Sequence, residues 1–306
     1  MIRFLEHKDI DKKKWDDCID RSLNHSISAY SWYLDLLFEN WSALILDDYE
    51  AVFPLPLRSK YKIHYLLQPL FIRCMGIYSK KNLTDELVNN FFDAIPSNIK
   101  LIDIYLKENI PFNRSDFKIS KRIVQLLDLS PSYEVVRQSY HRSVDKNLRK
   151  AEKNGLHLID TVVPELIAKQ YQHNIGAQVE KLSTKHFHTI EKLMNAAVKN
   201  KCGITLGVVN KENKIIASAF FMRSKKVIYF SFGSADPEGK SSGAMYLMVD
   251  EIIKRHSEQC ELFDFEGSDV EGIANFNKNF GAKDCVYLQV KKNTLPGIVK
   301  WISRKS

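Results

Sequence analysis

Apolar positions along the chain switch between two spacings, every second residue and every third or fourth, and the order of switching occurs twice. Residues 2–5 read as a short strand, 9–23 and 31–41 as helices, and 43–46, 51–57 and 63–67 as strands. A helix over 84–94 follows, then strands over 101–105 and 123–127. A linking helix over 142–153, stopped by Asn154-Gly155, precedes the return of the scheme. Strand 156–159 is followed by helices over 164–178 and 184–200 and by strands over 204–209, 215–222 and 227–232. Residues 210–213 and 223–226 supply polar turns for two hairpins. A helix over 242–256 carries Met245, Met248 and Ile252 on one face, and strand 262–266, helix 272–280 and strand 286–290 close the chain. The expected fold class is therefore α+β, two tandem domains over 1–130 and 131–306 with mixed, mostly antiparallel sheets flanked by helices.

Composition narrows the class. The length of 306 residues suits two domains, and 44% apolar with 27% charged residues is the balance of a folded, soluble chain. The longest apolar stretch, 64–78, is broken by Gln68 and Arg73, so no segment is expected to span a bilayer. Residues 1–15 lack the apolar core of a signal peptide. Cys18, Cys74, Cys202, Cys260 and Cys285 are scattered without a CxxC pair, which suits a reducing cytoplasm better than a disulfide framework or a zinc site. His186 and His188 have no carboxylate or thiol at ligand spacing and read as an incidental helix pair, so no metal is expected. A net charge of +8 suits either an anionic partner or a merely Lys-rich solvated surface.

Chemistry concentrates after residue 232. Gly239, Lys240, Ser241, Ser242 and Gly243 form an expected loop between a strand and a helix start. Backbone N–H groups and the positive helix end there suit a phosphate, with Lys240 adding charge; the other reading is an ordinary loop capped by Ser241 or Ser242. The matching helix of the first half opens with Thr84, Asp85 and Glu86 and has no glycine, so its carboxylates repel an anion. Asp264 and Glu266 alternate with Phe263 and Phe265 along one strand, which puts both carboxylates on one face. They read either as a base that takes a proton from an amine or as edge and salt-bridge groups. On the linking helix, Arg142, Lys146, Arg149 and Lys153 share a face opposite Val144, Leu148 and Ala151, forming a stripe for phosphates or a solvated surface.

Three segments carry a family resemblance: Arg142-x6-Arg149-Lys150-Ala151-Glu152-Lys153-x-Gly155, Asp264-Phe265-Glu266-Gly267-Ser268, and Gly272-Ile273-x2-Phe276-x3-Phe280-Gly281. With the element order, they resemble the FemAB-like branch of the GNAT superfamily over essentially the whole chain. Weaker echoes are Pro54-Leu55-Pro56-Leu57 and Gln68-Pro69-Leu70-Phe71 before Gly76. The resemblance implies two GNAT-like domains, a degenerate first one on the acceptor side and a second that binds donor and catalyses, with an acceptor cleft between them. It implies N-acyl transfer from acyl-CoA to an amine, with Gly239 to Gly243 on donor phosphates, Asp264 and Glu266 handling the amine proton, and Arg142, Lys146 and Arg149 holding an anionic acceptor or donor. The alternatives are an aminoacyl-tRNA-dependent transferase acting on a peptidoglycan precursor, and a catalytically silent scaffold binding an anionic ligand. Family members that build peptidoglycan resemble FKxxFG, with a lysine that handles the donor; here Asn277 takes that place and Lys278, the nearest lysine, is expected to serve.

Overall fold

In the computed structural model, which describes residues 1–108, 110–175, 182–267 and 270–295, the chain divides into two compact units. Met1–Arg122 with the segment from Val286 form one, and Ile123–Cys285 form the other.

The first unit opens with β1 (Ile2–Leu5), α1 (Lys12–Arg21), α2 (Ser31–Leu37), β2 (Ser42–Leu46) and β3 (Ala51–Leu55). Asp11 caps α1 by accepting the Lys14 N–H at 3.1 Å, and the helix buries Trp15, Cys18 and Ile19 at spacings of three and one. Then come β4 (Arg58–Lys60), β5 (Ile63–Leu67), β6 (Tyr78–Ser79), α3 (Asp85–Asp93) and β7 (Ile99–Leu106). β1, β2, β3 and β6 pair antiparallel in that order, whereas β5 runs parallel to β7. Beyond this parallel pair the chain stays stitched. The Gln68 N–H donates to Asp103 O at 2.7 Å, Gln68 Oε1 accepts the Tyr105 N–H at 2.8 Å, and the Met75 N–H donates to Tyr105 O at 2.7 Å.

β8 (Lys118–Asp128) leads into the second unit, followed by α4 (Tyr133–Gln138), α5 (Arg142–Lys153), β9 (His157–Ile159), α6 (Pro164–Ile175) and α7 (Thr184–Lys199). β10 (Gly203–Val209), β11 (Ile215–Ser224) and β12 (Val227–Ala235) form an antiparallel meander. α8 (Pro237–Ser242), α9 (Ala244–His256), β13 (Leu262–Asp264), α10 (Glu271–Asn279) and β14 (Lys283–Asn293) complete the order. α9 buries Met248, Val249, Ile252 and Ile253, and each fully buried side chain of this kind contributes about 1.5–3 kcal/mol. Its half-buried Asp250 accepts the hydroxyls of Tyr133 at 2.9 Å and Tyr140 at 3.0 Å. Burial and the neighbouring Asp250 charge push the Tyr133 phenol up to about 12.

The expected α+β class with mixed sheets holds. Locally, the structure corrects several expectations. Strand 227–232 runs on to Ala235, and the expected loop over Gly239–Gly243 is the helix α8 with its cap. Strand 262–266 ends at Asp264, and helix 31–41 ends at Leu37. Residues 176–178 of the expected helix 164–178, and Ser268, lie outside the described residues. His186 is spent locally, its Nδ1 accepting the Ser183 N–H at 2.9 Å in the capping box of α7.

Candidate active site

Two strands that pair and then part make the site. β12 and β13 run parallel through Val227↔Leu262, Ile228↔Phe263 and Tyr229↔Asp264 and no further. β12 continues to Ala235, held on its other side by β11, while the chain after Asp264 turns off through Phe265, Glu266 and Gly267. The turn needs left-handed backbone at two successive residues, φ 62° at Glu266 and 69° at Gly267. One device on the opposite edge helps. The β11–β12 register slips between Phe220↔Phe232 and Phe221↔Phe230, so Ser231 is an extra residue in a β-bulge.

The resulting gap is a cavity of about 460 Å³. Aromatic rings form much of its wall: Tyr171 from α6, Phe230 and Phe232 from β12, Tyr246 from α9, Phe265, and Phe276 from α10. They brace one another edge to face, with centroids at 5.7 Å for Tyr171–Phe232 and 4.8 Å for Tyr246–Phe276. Burial raises the Tyr171 phenol above its ordinary value, so it stays protonated near neutrality. The polar groups at the wall include Lys240, Glu266, Ser231, Ser234 and Asn277.

The nominated residues divide. Glu266, Gly239 and Lys240 line this cavity. Asp264 does not. It is 3% exposed, and its Oδ1 accepts the Glu266 N–H at 2.8 Å, so it fixes the backbone that carries Glu266. The two carboxylates therefore do not share a strand face: β13 stops between them, and the φ of Glu266 redirects its side chain. Lys278 pairs with Asp284 at 2.7 Å and is not part of the cavity wall; Asn277, one position earlier on α10, is.

Ser241 and Ser242 line a separate hollow with Lys150 and Lys211, and their hydroxyls donate to Glu238 O at 3.0 Å and Gly239 O at 3.4 Å. The glycines of this stretch answer to packing. A Cβ at Gly239 would lie 2.5 Å from Ile216 O, and one at Gly243 would lie 2.5 Å from Asn147 O with φ already at 89°. The α8 start is occupied as well: Asp236 Oδ1 accepts the Gly239 N–H at 2.8 Å, and Pro237 has no N–H to offer. Arg142, Lys146 and Arg149 stand exposed on α5 and line neither cavity.

Sequence reasoning passed over Tyr171, Tyr246 and Ser231, and named Asn277 only as the residue in the place of a lysine, giving the role to Lys278 instead. The two tyrosines sit among apolar helix positions that read as core. Only the Phe276–Phe280 motif pointed toward α10. Among the described residues no group of three or more His, Cys, Asp or Glu could hold a metal ion, and no helix is long and apolar enough to cross a membrane.

Comparison with known proteins agrees with this architecture. Residues 138–275 match the acetyltransferase (GNAT) domain model. No curated protein matches the chain in sequence. The crystal structure of FemX superposes with a TM-score of 0.66 at 12% identity, covering 94% of this chain and 96% of that one. The C-terminal domain of a putative lysylphosphatidylglycerol synthetase from Agrobacterium fabrum gives 0.60 at 13% identity, covering 92% and 91%. A tandem GNAT protein from the clavulanic acid biosynthesis pathway gives 0.54 at 11% identity, covering 97% and 100%. Most of the cavity wall thus comes from the stretch that matches the acetyltransferase (GNAT) domain model, and the chain as a whole shares its fold with FemX and the tandem GNAT protein.

Proposed function

We propose that the chain is an N-acyltransferase that moves an acyl group from an acyl-CoA thioester to an amine, with the cavity of the second unit as donor site. The gap beyond Tyr229 and Asp264 carries this reading. It joins an aromatic wall for an acyl arm to a carboxylate, Glu266, and a cation, Lys240.

In the reaction, the amine nitrogen attacks the thioester carbonyl carbon, a C–N bond forms, and the tetrahedral intermediate collapses with loss of the C–S bond. Glu266 takes the amine proton, and the departing thiolate takes a proton from a phenol, with Tyr171 and Tyr246 both at the wall. The backbone N–H of Ser231, the extra residue of the β-bulge, is the donor proposed for the oxyanion. Asp264 positions Glu266. Lys240 binds a donor phosphate, the Ser241–Ser242 hollow with Lys150 and Lys211 holds a further anionic part of the donor, and Arg142, Lys146 and Arg149 attract an anionic acceptor.

A second reading, aminoacyl-tRNA-dependent transfer to a cell-wall precursor, draws support from the Asp236 carboxylate on the Gly239 N–H, where a CoA pyrophosphate would otherwise find backbone donors. Incubation with radiolabelled acetyl-CoA and with charged tRNA, in separate tubes against a panel of amines, peptides and cell-wall precursors, decides. Label passing from acetyl-CoA supports the first reading, and label passing only from tRNA supports the second. No transfer and no binding of either donor leaves an anion-binding scaffold.

A further inference from the structure

Asn277 is the most deeply buried polar side chain at the cavity wall, 1% exposed on α10. Its two amide atoms are not interchangeable, because a relay fixes which one faces the cavity. The relay begins at Asp284, whose carboxylate pairs with Lys278 at 2.7 Å. The hydrogen bonds from Lys278 and Gln125 hold that carboxyl below its ordinary range, so at neutral pH it is ionised and can only accept. It accepts from Gln125 Nε2 at 3.0 Å. The Gln125 amide, itself buried, must then turn Oε1 the other way, where it accepts from Asn277 Nδ2 at 3.3 Å. Asn277 is left with its carbonyl Oδ1. No donor among the described residues reaches that oxygen, and it is not sealed from solvent, so it opens into the cavity it lines.

We infer that Asn277 presents a fixed hydrogen-bond acceptor to the donor cavity, and that the substrate group lying against it must offer an N–H. The inference rests on reading this cavity as the donor site, and it names what that site selects. The N–H could come from an amide along a pantetheine-like arm or from the amino group of a substrate. Asn277 is a specificity-determining residue; Gln125 and Asp284 are positioning residues that act through it. A buried acceptor without its donor loses a hydrogen bond it cannot recover from bulk water, which makes the selection steep.

Two small probes test it on the full chain. S-acetyl-N-acetylcysteamine carries one amide N–H; its ester counterpart has oxygen in place of that nitrogen. Titration followed by side-chain amide NMR should show the amide probe binding the native protein about tenfold tighter than the ester. In Asn277→Leu the preference should vanish through weaker amide binding, with the ester unchanged. Asp284→Asn, at an exposed position, lets Gln125 reverse and should lower the preference with little change in the thermal midpoint. Competition by methylammonium against the amide probe identifies an amino group as the source; no competition identifies the amide arm. Equal binding of both probes to the native protein with no methylammonium binding, or a preference that survives in Asn277→Leu or is untouched in Asp284→Asn, overturns the proposal. If no amine is ever acylated yet the preference and its loss are observed, the proposed reaction falls and this assignment stands.

Discussion

Each unit contains a parallel strand pair, β5 with β7 in the first and β12 with β13 in the second, and the two pairs end differently. In the first unit the main chain and side chain of Gln68 bridge to Asp103 and Tyr105, and Met75 carries the pairing onward. In the second, the parallel pairing ends at Tyr229 and Asp264 among the described residues, and a cavity of about 460 Å³ opens. The lesson is that a few backbone hydrogen bonds separate a closed end from a site: a strand pair makes a pocket only where its partners are prevented from continuing.

The sharpest way to break this comparison is at the carboxylate that the open end exposes. Glu266→Gln should lower turnover by roughly 10²–10⁴-fold and leave the Michaelis constant for the donor almost alone. Steady-state kinetics with any accepted amine measures it. Full turnover in the mutant at every pH would remove Glu266 from the chemistry.

Next in size are the helix starts. Gly243→Ala forces a Cβ against Asn147 O at a positive φ and should cost about 1–3 kcal/mol in denaturant unfolding. The counterpart in the first unit, Thr84→Ala, removes only the cap that accepts the Leu87 N–H at 3.2 Å and should cost about 1 kcal/mol. Equal costs would show that the α8–α9 bend is not under tight packing.

Acid offers a milder probe. Burial, with Arg223 and Arg255 nearby, lowers the His256 imidazole from 6.5 to about 4. The unfolded chain then binds a proton that the folded chain refuses, so this group costs stability as pH falls from 6.5 toward 4, by up to about 1.4 kcal/mol per unit. In the first unit Asp35 and Glu108 are shifted down, so their contributions are kept until lower pH. His256→Asn should flatten the slope of stability between pH 4 and 6.5, read by urea titration; an unchanged slope would place the loss elsewhere.

The smallest effect is expected at α5. Arg142→Ala with Arg149→Ala should leave the thermal midpoint nearly unchanged, since exposed charges contribute about 0–1 kcal/mol, while weakening an anionic partner. A large fall in midpoint with normal binding would make the stripe structural.

What the sequence disclosed follows from where period and chemistry coincide. The strand meander over β10–β12 and the amphipathic faces of α7 and α9 were legible because burial imposes their spacing. α8 was not. Pro, Gly and two serines among its six residues are weak helix formers, and the turn forms because Asp236 caps it, Pro237 opens it, and Gly239 packs on Ile216. The Asp-Pro pair was the available signal. At the site, alternation placed a carboxylate near the opening but missed the left-handed step at Glu266, which depends on the Asp264 hydrogen bond. The aromatic wall was invisible for a different reason: Tyr171 and Tyr246 are spaced as core residues, and only the parting of distant strands turns that core into a lining.

The capped start of α8 bears on what kind of donor tail the protein can tell apart. With the Gly239 amide held by Asp236 and none on Pro237, the proposed donor phosphate would lean on flexible ammonium groups such as Lys240 more than on rigid amides. A grip of that sort is a handle, not a lock: bulk ions compete with it, and one polyanionic tail serves nearly as well as another. On the proposed reading, discrimination among donors would then fall to the end of the molecule that carries the reacting carbonyl, against the aromatic wall.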